Sequence, residues 1–432
     1  MRIPVRRSLA VAAILTTFAA GSASAMDLAQ ALAAARTHSP VTAMAEAEAD
    51  AALARQRRAR AAQGPSAALN GMIADGRSDL GGFFGFGRED ITPSSLSLEV
   101  VQPLFTGGAL SAGLAGAQAD RRRAEAGLRR AQADLTLSVV QAYARVQVAE
   151  QMTATARRLA ALMAEIARQS GERFEAGEIA RSDYAQATAR RAQALAERAA
   201  AEAELETARA EFIRIVGQAP IDLAPLPVPP APAETFDDFL VRAIAESPEV
   251  RAAEQAEAAA VAGLRAARAA FGPTVALSAQ ASQVRDQFLP GYSNDEWRVG
   301  VQGRWVLFDS GSTSASVAER AAGVRAAEAG LRGARDAVEA QALSAWHAAH
   351  AARLRQAAAQ AALEAEGLSA ASVADEVAAG QRPLVDRLDA ETRLADAERA
   401  RSQADAAVLV MACRLRAIAG DAGCGGVFAD PA

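Results

Sequence analysis

Aromatic residues make up 4 % of this 432-residue chain, with 3 Trp and 3 Tyr. A bulky aromatic core is excluded, and small apolar residues must do most of the packing. Two cysteines and three histidines leave little material for a metal site or a redox framework. Neither sign of charge dominates, since 46 Lys+Arg stand against 51 Asp+Glu for a net charge of −5. The chain therefore lacks the bulk cationic field that wraps nucleic acid. At 22 % charged it is also far from a disordered composition. No apolar run reaches the ~20 residues of a transmembrane helix, so a membrane crossing would have to be a closed β-barrel. No phosphate loop, nucleophile elbow or zinc motif is present. The expectation is a protein that is not an enzyme and holds neither cofactor nor metal.

What is present begins with a targeting pattern. Arg2, Arg6 and Arg7 precede an apolar stretch from Leu9 to Ala20, and Ala23-Ser24-Ala25 is a small-residue cleavage signal. Residues 1–25 read as a signal peptide, and the mature chain as exported. No cysteine lies near the cut to carry a lipid anchor.

The mature chain repeats itself. Ser39-Pro40 recurs as Ser247-Pro248 and Gly64-Pro65 as Gly272-Pro273, both at an offset of 208. The offset then falls to 203, pairing Leu104-Phe105 with Leu307-Phe308, Tyr143 with Trp346, Gly177 with Gly380 and Gly217 with Gly420. Two units follow, 26–217 and 235–420, joined by a proline-rich linker over 218–234 and followed by a tail over 421–432. Each unit opens with a helical stretch, Asp27 to Gln63 or Thr235 to Ala270, closed by a Gly-Pro pair. Strands are expected at about 66–76 and 94–105, then 273–283 and 296–308. Long helices are expected at about 109–173 and 312–376, with return helices at about 181–217 and 383–419.

The strands alternate. Leu96, Leu98 and Val100 oppose Ser97 and Glu99, while Trp297, Val299 and Val301 oppose Arg298 and Gln302. An apolar face backed by a charged one suits a barrel with lipid outside and water inside, or equally a half-buried soluble sheet. Trp297 and Trp305 would mark the two ends of one strand. Four strands fall short of the ~8 that close a barrel, so any barrel must be shared between protomers. The long helices, at roughly 100 Å each, exceed what most globular domains hold. Their stripe of Leu128, Leu135, Val139 and Val146 mixes seven- and four-residue steps, which predicts a nearly straight seam. That fits either the wall of a cylinder or an antiparallel coiled-coil scaffold without a pore.

These features together resemble the TolC family of outer-membrane factors. The most specific matches are the helical turns Arg173-Phe-Glu-Ala-Gly177-Glu-Ile-Ala-Arg-Ser-Asp183 and Val377-Ala-Ala-Gly380-Gln-Arg382-Pro-Leu-Val-Asp386-Arg-Leu-Asp389. The strand-to-helix passages Gln102-Pro-Leu-Phe105-Thr-Gly-Gly108 and Trp305-Val-Leu-Phe308-Asp-Ser-Gly311 match as well. The resemblance implies a mainly α fold with a small β part, a duplicated unit that trimerises into a 12-stranded outer-membrane β-barrel on a periplasmic α-barrel. It implies a passive exit duct working with a periplasmic adaptor and an inner-membrane ABC or other pump. Type I protein secretion is the first reading, because the second turn looks more like that branch; multidrug or small-molecule efflux is the alternative. Asp386 and Asp389 match the acidic ring of the periplasmic gate, and Arg382 and Asp183 match positions that latch it. A family tyrosine is Val377 here, which removes one hydrogen bond of that latch. Gly177, Ile179, Gly380 and Leu384 would form the tips that meet the adaptor. Cys413 and Cys424, flanking Gly420 and Gly423, are a possible disulfide in an oxidising compartment. His347 and His350 share a helix face without a completing ligand and read as surface or seam residues.

Overall fold

The computed structural model describes residues 25–79, 81–82, 87–231, 234–287, 289–421 and 424. The expected signal peptide, Pro232 and most of the C-terminal tail lie outside the described residues.

Each repeat opens with two helices, α1 (Leu28–His38) and α2 (Pro40–Ala61), then α5 (Phe236–Glu246) and α6 (Pro248–Ala269) further on. The single opening helix expected in each copy is thus split at its Ser-Pro pair. Ser39 ends α1 and caps α2, its Oγ accepting from the Thr42 amide at 3.3 Å, and Ser247 does the same for the Glu249 amide at 3.2 Å. The proline that follows has no N–H to lose at a first helical position, but it cannot continue the preceding helix.

Four strands form one antiparallel sheet in the order β1 (Ser66–Ile73), β4 (Ser94–Phe105), β5 (Thr274–Arg285), β6 (Ser293–Arg304). The register lines up Leu69, Leu98, Ala281 and Trp297 on one face. The adjacent row carries Ala68, Glu99, Gln280 and Arg298 on the other. Leu69, Trp297 and Val299 are 67 %, 79 % and 62 % exposed. The apolar face is therefore bare. β6 begins at Ser293 and stops at Arg304, shifted from the expected 296–308. Trp305 Nε1 donates to the Phe271 carbonyl at 3.0 Å, which draws the chain out of the ladder toward the Gly272-Pro273 turn. The longer loop of the first copy is not open chain. It holds a second hairpin, β2 (Gly76–Asp79) and β3 (Arg88–Ile91), with cross-strand ion pairs Arg77–Asp90 at 2.7 Å and Arg88–Asp79 at 3.0 Å.

Below the sheet run α3 (Ala109–Glu175) and α7 (Ser312–Ala378), 67 residues each or roughly 100 Å. The return helices are α4 (Arg181–Val216) and α8 (Leu384–Ile418). α2 and α4 both lie antiparallel to α3, one along its sheet-proximal half and the other along its distal half, and α3 also packs against α6 and α8. Of the expected stripe, Val139 and Val146 are buried while Leu128 and Leu135 are half-buried, and the rest of the buried seam is mostly small residues. It is Ala112, Ala119, Ala126, Ala133 and Val140 in the upper half of α3. In the lower half it is Ala149, Thr153, Ala156, Ala160, Met163, Ala167 and Ser170. The first series steps by seven and the second by four and three, both coiled-coil repeats. Alanine at these positions lets neighbouring helices approach closely, and in an alanine-rich background the pattern is hard to see.

Midway along α3 the bulky residues gather. Val139, Val140, Tyr143 and Val146 meet Leu28 and Leu32 of α1, Phe212 and Val216 of α4, and Leu409 and Cys413 of α8. The second repeat builds its counterpart from Phe239, Val250, Val338 and Leu415 beside Trp346. The linker straps this equator. Met26 and Leu223 form a bridge, Tyr143 Oη reaches the carbonyls of Ala224 at 2.6 Å and Met26 at 2.9 Å, and Arg353 reaches that of Pro230 at 2.5 Å. Cys413 and Cys424 are both buried and free. The neighbouring Cys413 thiol, together with burial, pushes the Cys424 thiol well above its ordinary range.

Tyr143 supplies a test of the strap. Burial, with the Asp27 carboxylate adding to it, raises its phenol to about 12, against about 10 in an unfolded chain. The raised value means its contribution is complete below pH ~10 and is lost as pH climbs through ~12. Tyr143→Phe should lower stability by about 1–2 kcal/mol at neutral pH. It should also flatten the alkaline loss between those limits, as read from thermal unfolding midpoints across pH.

Candidate functional site: the helical tips

The chain turns twice at the end farthest from the sheet, and both turns are built alike. In the first, the Glu178 amide donates to the Arg173 carbonyl at 2.8 Å and the Gly177 amide to Phe174 at 3.0 Å. In the second, Gln381 donates to Glu376 at 2.9 Å and Gly380 to Val377 at 3.0 Å. This paired bonding is the Schellman closure, which needs a left-handed residue just past the helix. Gly177 and Gly380 supply it, with φ of 76° and 74°.

Asp183 and Asp386 both fall in the first turn of their return helices, where the helix dipole favours a carboxylate. Asp183 accepts from the Ser182 hydroxyl at 3.4 Å. Arg382 folds back within its own turn, onto Glu376 at 2.5 Å and Asp386 at 3.7 Å. Within one protomer the two latch candidates thus have separate partners. Asp389 is engaged by a residue the sequence reading missed. Arg190 of α4 reaches it across to α8, Nη2 to Oδ1 at 2.7 Å. Asp386 and Asp389, the two candidates for an acidic ring, therefore each sit beside one guanidinium.

The tips differ in their packing. Ile179 is half-buried beside the exposed Gly177. Leu384 is also half-buried and packs against the Leu159, Met163, Ile166 and Leu388 cluster, so it belongs to the coiled-coil core as much as to the tip. Val377 joins Ala370, Val373 and Ala390, filling apolar space where the family tyrosine would hydrogen-bond. At the first tip Phe174 and Tyr184 stack with ring centroids 5.4 Å apart and planes 4° off parallel. The two rings stand three residues before and seven residues after Gly177, one on each helix, and no pattern in the sequence pairs them. His347 and His350 are exposed on α7.

A bare apolar sheet face, a polar inner face and long small-residue helices ending in charged turns describe a subunit of an outer-membrane channel. A family model described as outer membrane efflux protein matches residues 31–218 and 239–421, and the chain belongs to that family. The chain is 29 % identical over 326 residues to the outer membrane efflux protein BepC of Brucella suis biovar 1 (strain 1330), covering 74 % of this chain and 70 % of that one. Among solved structures it is similar to the outer-membrane channel OprN, with a TM-score of 0.78 and 24 % identity over 91 % of this chain and 90 % of that one. It is likewise similar to the outer membrane protein VceC of Vibrio cholerae, with a TM-score of 0.78 and 19 % identity over 91 % and 96 % of the two chains. The protein is an outer-membrane efflux channel with a large periplasmic part.

Nothing lies within 4 Å of where a side chain would begin at Gly177 or Gly380, so a substitution there meets backbone strain alone. Gly177→Ala and Gly380→Ala should each cost about 1–2 kcal/mol. Hydrogen exchange should report the loss as faster amides around the affected turn, with the equatorial core unchanged.

Proposed function

We propose that three copies of this chain form a passive exit duct in a tripartite export system, with a periplasmic adaptor and an inner-membrane pump at the far end. One observation carries the reading: the apolar-faced sheet has two unpaired edges, β1 and β6. A bare sheet edge is not tolerated in lipid. Two copies would supply about eight strands, an interior that side chains fill. Three supply about twelve and leave a lumen, with β6 of each copy pairing β1 of the next.

Cargo follows from weaker evidence. The second turn, Gly380 to Ala390, supports export of an unfolded protein by an ABC transporter. BepC is named an efflux protein, which supports small-molecule export as the second reading. Deleting the gene separates them: loss of one secreted polypeptide supports the first, and drug sensitivity with an unchanged secretome supports the second.

At the tips, Asp386 and Asp389 would give six carboxylates around the axis of a trimer. Such rings select and bind cations. In this arrangement Arg190 and Arg382 offset much of that charge. The duct should insert into planar bilayers as a trimer with small conductance. Asp386→Ala with Asp389→Ala should weaken block by divalent cations, and Arg190→Ala should raise cation selectivity by leaving Asp389 unpaired. Unchanged block and selectivity in both variants would remove these residues from the constriction. A monomer that never inserts would overturn the duct itself.

A further inference from the structure

Arginines gather at the end of the helices nearest the sheet. Arg57 and Arg60 lie in the last turns of α2, and Arg265 and Arg268 occupy the matching places in α6 at the repeat offset of 208. Arg58 beside them and Arg320 in α7 add to the group. All six are exposed, and none forms an ion pair among the described residues. No carboxylate occurs in residues 51–65 or 258–273, so these segments are wholly basic in a chain whose net charge is −5. The helix dipole accounts for a cation in the last turn, at Arg60 and Arg268, but its effect fades before Arg57 and Arg265 one turn earlier.

Assembly does not supply the missing partners. α6 already has α3 on one side and α7 on the other. Arg265 and Arg268 stay exposed and unpaired with both neighbours in place. α2 has α3 alone, and its open side would take the equivalent of α7 from a neighbouring copy. By the repeat, Arg57 and Arg60 then face the same surroundings as their counterparts.

The level of these arginines is fixed by what lies directly above them. Phe105, Phe271, Trp305 and Phe308 ring the base of the sheet and are 51 %, 54 %, 60 % and 85 % exposed. Exposed aromatics where an apolar barrel face ends mark the headgroup level of a membrane. Arg268 precedes Phe271 by three residues, and Arg60 precedes β1 by six. A long arginine side chain one turn below that belt reaches the phosphate layer.

We propose that Arg57, Arg60, Arg265 and Arg268, supported by Arg58 and Arg320, form a collar that binds anionic phospholipid headgroups of the periplasmic leaflet of the outer membrane. Guanidinium groups suit phosphate through paired N–H donors. The collar would hold the barrel at a fixed depth and resist tilting of the long helices beneath it.

The test uses the mature chain carrying Trp297→Phe and Trp346→Phe, which leaves Trp305 as the sole tryptophan of the three. The protein is reconstituted in phosphatidylcholine, and quenching of Trp305 by brominated phosphatidylglycerol is compared with quenching by brominated phosphatidylcholine. Quenching by the latter alone reports insertion, so failure of the barrel reading is seen separately. The expected preference for phosphatidylglycerol is about fivefold or more. It should fall to near unity in R57Q/R60Q/R265Q/R268Q and survive in the corresponding lysine variant. If the fourfold glutamine variant does not assemble, judged by heat-modifiable migration, R265Q/R268Q should still reduce the preference. A parent preference near one, or one that persists in the glutamine variant, overturns the collar. So does an altered reversal potential with unchanged lipid preference, because the arginines would then line the lumen.

Discussion

The architecture depends on two unpaired strands. β1 and β6 close a four-stranded sheet whose outer face is apolar and whose backbone edges are open. In water such a sheet would aggregate through either its face or its edges. In lipid the open edges would leave donors and acceptors with no partner at several kcal/mol each. Closure with other copies removes both penalties at once. Everything below the sheet would then inherit a ring geometry, because each strand pair continues directly into a helix pair.

That inheritance explains the composition. A wall one helix thick has no room for a deep core, so each helix must bury itself on its flanks. Alanine at 112, 119, 126 and 133 allows close lateral contact without bulk. Larger side chains collect where more than two helices meet, around Tyr143 and around Trp346 halfway down. There α1 and the linker cross the long helices, and a local layer of extra chain permits a true core. The scarcity of aromatics is thus a property of the wall, and their positions mark the places where the wall thickens or meets lipid.

Much of this was legible. The change of offset from 208 to 203 placed the extra length between Pro65 and Leu104, where the β2–β3 hairpin stands. Alternation located β4, β5 and β6 because one face must differ from the other, whereas β1 is only weakly patterned and was placed by its position in the repeat. Glycine located both tips because the closure demands a left-handed residue. Other features were not legible, for identifiable reasons. The Ser-Pro pair was read as a repeat marker and not as a helix boundary, although both roles follow from one proline. The end of β6 depends on a hydrogen bond from Trp305 to Phe271, a tertiary contact that no local pattern encodes. Arg190 meets Asp389 across 199 residues of chain, and in a helix carrying many arginines nothing local distinguishes it.

The charges at the tips make sense in the same frame. An exit duct without its own energy source must neither trap its cargo nor leak freely. Bare carboxylate rings at a narrow entrance would bind divalent cations strongly, and a ring of arginines would hold anions. Pairing Asp389 with Arg190, and Asp386 with Arg382, leaves each group partly exposed and only weakly held. Ion pairs of that exposure are worth about 0–1 kcal/mol, so each exchanges readily for another partner. An adaptor that offers its own charges to these tips could therefore replace the internal pairs at little cost. In the proposed duct, pairs this weak would let the tips change partners on contact with an adaptor without a large energetic barrier.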